Sequence, residues 1–551
     1  MWLLHLPRLD CTLPRHPQLL QVHTRCQNPP AKRRRLSEGQ DPPTSPPSGV
    51  VAASESGRGH AASLDRPISP PPRRTPAPRE RELLPSPFQL TTIRDLPAES
   101  NTGAVSLHDL LGDPLILECW EFNYLHDINF LMSHFDEDVR SSVKVHVVHG
   151  FWKREDPNRA ALEQDASAFR NVELHTAYMP EMFGTHHSKM MILFRNDDTA
   201  QVVIHTANMI SKDWTNMTNG VWSSPMLPLS KEEKQDFTIG SGYKFKSDLL
   251  SYLRAYNDKR SVCRSLVDSL AKYDCSAVRG TLIASVPGRH DVETDPRETR
   301  WGWAALKQAM RAIPVQPGKA EVVVQVSSIA TLGGTDSWIQ RTLFDSLSSA
   351  AKSTSRPSFK VVFPDASEIR RSLDGYSSGG SIHTKIQSAQ QAKQLQYMRP
   401  IFCHWANDAK KGVKLAEDVT IEDAGRKRAA PHIKTYIRFG ENSIDWALLT
   451  SANLSKQAWG EAATGSNEFR VASWEIGVLV WPELIAENAK MIGAFKTDLP
   501  SPAGLQGDDP LVGLRIPYSL PLQPYGEDEV PWVATMAYPE PDRMGLTWQG
   551  W

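Results

Sequence analysis

The sequence predicts a layered α/β protein made of two similar halves behind a disordered tail, and three observations predict it. The first is a long-range repeat: His187-x-Lys189 is followed by Asn208, and His432-x-Lys434 by Asn453, with the Asn 19 residues after the Lys in both copies. Each member is displaced from its counterpart by 245 positions, and Trp214 and Trp459 stand six residues past the two Asn. The second is an alternation of apolar strand-like and helix-like segments on both sides of a loop at Ser285-Val286-Pro287-Gly288-Arg289. The third is compositional, because residues 1–87 hold 17 of the 41 prolines and show no hydrophobic period.

The domain reading follows: a basic Pro/Ser-rich tail over 1–87, a half with the first motif over 88–288, and a half with the second over 289–551. The tail cannot bury enough apolar surface to offset its ordering entropy. Residues 1–95 carry 14 Lys and Arg against 8 acids, a formal +6, so a net charge of −1 leaves −7 for the remainder. Lys32-Arg33-Arg34-Arg35 is a cluster of nuclear-localisation type. Ser45-Pro46, Ser69-Pro70, Thr75-Pro76 and Ser86-Pro87 fit proline-directed phosphorylation, which would lower the tail's charge. The start, Met1 to Arg8, is too soon interrupted by Pro7 for a secretory apolar region. A mitochondrial transit peptide is the alternative address, with Asp10 and the prolines against it. The 40% hydrophobic content supports sizeable cores. No apolar run approaches the ~20 residues of a membrane span, and six scattered cysteines without a CxxC point to a reduced setting without structural zinc.

In the first half, Leu107–Leu111 and Asp127–His134 read as helices. Strands are expected at Leu115–Phe122, Val143–Gly150, Val172–His175, through the His187 motif and at Gln201–His205. In the second, Trp301–Ile313 and Trp338–Ala351 read as helices, with strands at Glu321–Val326, Phe359–Phe363, Ile433–Phe439, Trp446–Thr450 and Ile476–Trp481. Asn407–Ala429 is a charged insertion whose Lys410, Lys411, Lys414, Arg426, Lys427 and Arg428 suit either a solvated loop or a nucleic-acid backbone. The end, with Pro517, Pro521, Pro524 and Pro531, reads as extended chain packed on the domain.

The repeated residues carry chemistry. On a strand, the period of two turns His187 and Lys189 to one face, away from His186 and Ser188, and does the same for His432 and Lys434. A hairpin-like return would bring each Asn beside its own Lys. Two ammonium groups and two amides supply charge and directional donors to a phosphodiester whose negative charge grows in a five-coordinate transition state. Neutral imidazole is a nucleophile and imidazolium an acid near neutral pH. One histidine attacks phosphorus, the other protonates the leaving oxygen and then deprotonates water. No carboxylate cluster or Cys/His ligand spacing accompanies them, so a mechanism with no metal and no cofactor is expected. A lone H-x-K would be satisfied by a core histidine, whereas two copies with matched spacing would not. His186 and His205 read as structural or peripheral, as does His383 in Ser381-Ile382-His383-Thr384-Lys385, an H-x-K whose Lys385 is followed nineteen residues on by His404 rather than Asn.

Gly184-Thr185-His186-His187-Ser188-Lys189-Met190-Met191 with His205-Thr206-Ala207-Asn208, and Pro431-His432-Ile433-Lys434 with Thr450-Ser451-Ala452-Asn453-Leu454-Ser455-Lys456, resemble the eukaryotic tyrosyl-DNA phosphodiesterases of the phospholipase D superfamily. The likeness runs from about Phe88 to Trp551. Phe194 and Phe439 stand five residues past the Lys, where the superfamily usually has Asp, which matches this branch and argues against a lipid phospholipase. The resemblance implies two pseudo-symmetric α-β-α sandwich domains of the phospholipase D type. It implies His187 as nucleophile, His432 as acid and then base, and Lys189, Lys434, Asn208 and Asn453 as phosphate ligands. Glu475 would orient His187, and Ser381, Ser455 and Lys456 would contact the DNA backbone. Asn219 stands near the site where animal members carry a Gln, a departure from the family pattern that leaves open the supporting or water-positioning role of that Gln.

The expected substrate is then a DNA 3′ end, single-stranded or duplex, carrying a tyrosyl peptide from a stalled topoisomerase I or another 3′ adduct. The expected product is a DNA 3′-phosphate, the setting nuclear DNA repair, and a monomer sufficient, because both half-sites lie in one chain. Two other readings remain: another phospholipase D superfamily phosphodiesterase, nuclease or lipase, and an inactive DNA-end-binding protein.

Overall fold

Apolar residues at consecutive positions, as in Met190-Met191-Ile192-Leu193, mark strands covered on both faces, and they form the centres of two sheets. The structure, a computed structural model, describes residues 81–551 apart from 231–233, 258–259, 351–354, 411, 417–418, 503–506 and 551. In the first half run β1 (Ile116–Phe122), β2 (Lys144–His149), β3 (Val172–Thr176), β4 (Met190–Arg195), β5 (Thr199–His205) and β6 (Gly220–Ser223). In the second run β7 (Glu321–Gln325), β8 (Ser358–Val362), β9 (Phe402–Cys403), β10 (Thr435–Phe439), β11 (Ile444–Thr450) and β12 (Glu475–Val480).

The first sheet contains the order β6-β5-β4-β1-β2-β3 and the second β12-β11-β10-β7-β8-β9. Each parallel or antiparallel contact in one has the same sense in the other. The 245-residue repeat is therefore a repeat of topology. The second sheet also takes Thr281–Ser285, which pairs with β12 ahead of the 288/289 boundary read from the sequence.

Period-two alternation divides each strand between layers. Met191 and Leu193 pack under the helices Leu107–Leu111, Ile128–Ser133 and Pro157–Ala166. Met190, Ile192 and Phe194 face inward, into a core shared with Ile437, Ala447 and Leu449 of the second half and with the helix Gly242–Ala255. Val322, Val324, Tyr436 and Leu448 enter an outer core with the helix Gly302–Ala312. At the seam, a Cβ on Gly220 would meet Leu449 Cδ1 at 2.7 Å and Ile433 Cδ1 at 2.8 Å.

Several expectations change. Residues 1–80 of the expected tail, with the basic cluster and three of the four Ser/Thr-Pro sites, lie outside the described residues. Arg81–Pro87 belongs to the fold: Leu83 and Leu84 pair in parallel with Leu511 and Val512, and buried Ser86 receives a bond from Arg515 N. That partner lies at the far end of the chain, beyond the reach of local pattern reading. The helix expected over 338–351 is a π turn, Ile339–Leu343, followed by Phe344–Leu347. There Ser346, Ser348 and Ser349 donate to carbonyls four residues back at 2.6–2.8 Å, and such back-bonding competes with helix continuation. Within the charged insertion Arg426 is fully buried on Thr91 O, and Arg428 pairs with Asp408, so these cations serve the fold. The C-terminal segment docks as expected, with bridges at Pro524 and Pro531 and with Trp532 buried.

Candidate active site

The two motifs precede their strands: β4 begins at Met190 and β10 at Thr435, so neither H-x-K is itself paired as a strand. The expected alternation survives in extended chain. His186 Nε2 meets Tyr256 OH at 2.9 Å and Ser188 Oγ bonds Tyr252 OH, whereas His187 turns the other way to Glu475. The hairpin registers match as well. His205 N donates to Lys189 O at 3.0 Å and Thr450 N to Lys434 O at 3.2 Å, each pair 245 positions from its counterpart.

What holds each motif comes from the other half. His187 N donates to Trp474 O at 3.0 Å, and His432 N to Thr218 O at 2.9 Å. Trp474 and Thr218 each lead into the strand that flanks a hairpin, β12 in one half and β6 in the other. The next residues, Glu475 and Asn219, are thus topological counterparts, and each meets the opposite half's imidazole. Glu475 Oε2 is 2.9 Å from His187 Nδ1 and Asn219 Oδ1 is 3.1 Å from His432 Nδ1. Thr206 Oγ1 donates to Asn219 Oδ1 at 2.8 Å, and Asn219 Nδ2 donates to Asp213 O at 2.7 Å. The amide is therefore oriented with its oxygen toward His432, which places the proton of that imidazole on Nδ1 and leaves Nε2 for chemistry.

Asp213 is the residue that sequence reading missed. Its Oδ2 lies 3.2 Å from His432 Nδ1 and accepts from Asn208 N at 2.7 Å and Asn208 Nδ2 at 3.0 Å. The amide of Asn208 is thus engaged with Asp213. Asn453 is held differently: its Oδ1 accepts from Ser327 N and Ser328 N at 3.1 and 2.9 Å, which frees Nδ2 as a donor. Among the described residues neither Asn bonds its Lys; Lys189 donates to His187 O at 3.2 Å and Lys434 to His432 O. Each ammonium keeps donors for an anion.

Electrostatics agree. Burial lowers the His187 pKa, with Glu475 pulling it up and Lys189 pushing it down. Burial brings Lys189 to about 8 against the opposing pull of Glu475, Asp213 and Glu121. Lys434 falls well below its ordinary value through burial and the repulsion of Lys189, and His432 falls through burial, Lys434, Lys189 and His187. Burial raises Asp213. These basic groups crowd a site short of negative charge, which a bound phosphate would supply.

Of the remaining candidates, Ser455 Oγ caps the helix Lys456–Trp459 by accepting from Ala458 N at 3.0 Å, and its hydroxyl proton stays available. Ser381 N bonds Ser378 O at the turn entering His383, and Lys456 is half-buried in the capped turn. His383, read as peripheral, belongs near the site. His383 N donates to Ser327 O, in the segment that holds Asn453, and burial with Lys212, Lys385, Lys434 and His187 lowers its imidazole to about 4.

A family model described as tyrosyl-DNA phosphodiesterase matches residues 87–526. A probable tyrosyl-DNA phosphodiesterase of Schizosaccharomyces pombe is 29% identical over 87% of this chain and 99% of its own length. The tyrosyl-DNA phosphodiesterase 1 of Drosophila melanogaster is 31% identical over 81% of this chain and 73% of its own. The crystal structure of a yeast tyrosyl-DNA phosphodiesterase superposes with a TM-score of 0.57 at 18% identity, over 81% of this chain and 98% of that one, and so shares the fold. With most of its length matched by the family model, this chain belongs to the tyrosyl-DNA phosphodiesterase family.

Proposed function

We propose that the chain hydrolyses the bond between a DNA 3′-phosphate and a tyrosine of stalled topoisomerase I, or another 3′ adduct, through a covalent phosphohistidine on His187. The observation that carries this reading is the unequal support of the two imidazoles. His187 Nδ1 faces the Glu475 carboxylate, whereas His432 Nδ1 is shared between the neutral Asn219 amide and an Asp213 that burial drives toward its neutral form. A carboxylate behind Nδ1 makes Nε2 the better nucleophile and stabilises the imidazolium that forms on attack. The His187 side chain is 15% exposed against 5% for His432, which suits the attacking group.

His187 Nε2 attacks phosphorus while His432 Nε2–H gives its proton to the departing tyrosyl oxygen. Neutral His432 Nε2 then takes a proton from water, the water oxygen bonds phosphorus, and the phosphorus–His187 bond breaks, leaving a DNA 3′-phosphate. Lys189, Lys434 and the Asn453 amide hold the non-bridging oxygens, and Asn208 aligns Asp213. Ser381, Ser455 and Lys456 contact the DNA backbone. His432 is neutral in the free site, so the phosphate charge is what draws its proton back. A monomer suffices, and Lys32–Arg35 directs nuclear import, which a reporter fusion lacking that cluster would test.

The test is a single-stranded oligonucleotide bearing a 3′-phosphotyrosine, incubated in EDTA with wild type and His187→Ala and resolved on a denaturing gel. The reading requires a 3′-phosphate strand from wild type alone. Ordinary turnover by folded His187→Ala, or none by wild type, overturns it.

A further inference from the structure

Outside the active site, β2 and β3 place two imidazoles and a carboxylate on one face of the first sheet. His146 lies opposite Glu173 in the parallel register, with His175 two residues further on the same strand. His146 Nδ1 is 2.8 Å from His175 Nε2 and 3.5 Å from Glu173 Oε2, and Glu173 Oε1 is 3.9 Å from His175 Nε2. We propose that His146, His175 and Glu173 form a zinc-class divalent metal site that ties edge strand β3 to β2.

The donor set is two imidazoles and one carboxylate, which suits Zn²⁺ with solvent completing the coordination. Zinc about 2.0–2.1 Å from each ligand in a tetrahedron needs neighbouring donor atoms ~3.3 Å apart. The observed separations bracket that value, so metal entry replaces the His146–His175 hydrogen bond with a shift of about half an ångström. Glu173 is 59% exposed and free to swing, and the site opens to solvent through it.

The surroundings fit metal-ligand support. His146 Nε2 lies 3.3 Å from Glu118 Oε1, and Trp120 Nε1 donates to that same oxygen at 2.7 Å. A carboxylate on the far nitrogen fixes the tautomer that offers Nδ1 to a metal. Trp120 stacks on His146 at 3.9 Å and on His175 at 5.2 Å, which sets both ring planes. The ligands meet across strands rather than along one segment, and for that reason the sequence shows no ligand spacing.

The full chain, stripped with chelator and dialysed, would be titrated with Zn²⁺ by calorimetry and with Co²⁺ by visible absorption, beside His175→Gln, Glu173→Gln and Glu118→Gln. The expected result is one Zn²⁺ per chain in wild type, with a Tm raised by the metal. Affinity should fall at least ~10-fold in each variant, with phosphotyrosyl turnover unchanged. Equal Zn²⁺ affinity and stoichiometry in wild type and His175→Gln, or no uptake by wild type, would leave the cluster an ordinary histidine hydrogen bond and overturn the proposal.

Discussion

His187 Nδ1 and Glu475 Oε2 lie 2.9 Å apart although 288 residues separate them, and Ser451 Oγ donates to the same carboxylate oxygen at 2.6 Å. The carboxylate therefore has a fixed direction before substrate arrives. Removing its charge while keeping its shape should slow attack more than binding. Glu475→Gln is expected to lower kcat by about 10²-fold with little change in KM. Single-turnover formation of the protein–DNA adduct checks this, and an unchanged rate would remove Glu475 from the mechanism.

In the proposed mechanism His432 acts twice, and only its second action lacks a substitute when the leaving group is good. His432→Ala, given an oligonucleotide with a 3′-p-nitrophenyl phosphate, should accumulate a protein–DNA species visible on a denaturing gel. Its decay should be slower than wild-type turnover by about 10²-fold or more. Absence of any trapped species would argue against the acid/base assignment.

Burial sets Lys189 at about 8, so its charge is present below that pH and lost above it. kcat/KM reports the free enzyme and should fall as pH rises through about 8. At the acid end the proposed attack needs the His187 imidazole neutral, and its lowered pKa should carry the plateau below ~6.5. Lys189→Arg keeps its charge throughout, so its profile should lose the limb at 8. A limb that stays in place would point to another group.

The convergence of the two His/Lys/Asn sets was legible in the sequence because H-x-K-x18-N occurs twice at one displacement and a hairpin fixes its register. Asp213 was not, although its signal was present: the residue before the repeated Trp is Asp213 in one copy and Ala458 in the other, a break in the repeat where the two imidazoles differ in their Nδ1 partners. Glu475 followed from family likeness alone, since nothing local distinguishes a carboxylate opening an apolar strand. The H-x-K of His383 has His404 instead of Asn nineteen residues after Lys385, yet Ser327 links His383 to Asn453 through a contact that no spacing encodes. The order of the central strands was open for the same reason, because cross-strand partners are chosen in three dimensions.

His404 offers a stability test away from the active site. It is fully buried between Glu368 at 3.3 Å and Glu529 at 2.9 Å. Burial opposes its charge, but the bonds to the two carboxylates outweigh this and raise its pKa to about 9. A raised histidine pKa stabilises fully below the unfolded value of ~6.5, and the contribution, on the order of 3 kcal/mol, disappears as pH rises through about 9. Glu529→Gln should lower Tm clearly at pH 6 and much less at pH 9.5. A pH-independent difference would show that His404 is neutral throughout.

Gly184 tests whether the two halves must close to within a few tenths of an ångström for His187 to be oriented. A Cβ there would stand 1.9 Å from Ala472 O, on the segment that leads through Trp474 to Glu475. That obstacle is backbone and cannot rotate away, so Gly184→Ala must push the first motif off the strand that supports it. The expected cost is about 1–3 kcal/mol of stability, as for overpacking elsewhere. The more telling expectation is kinetic: lengthening the His187–Glu475 contact should slow adduct formation beyond the effect on DNA binding. The double variant Gly184→Ala/Glu475→Gln should then be little slower than Glu475→Gln alone, because both act through one contact. Fully additive losses in that cycle would place the effect of Gly184 elsewhere in the fold.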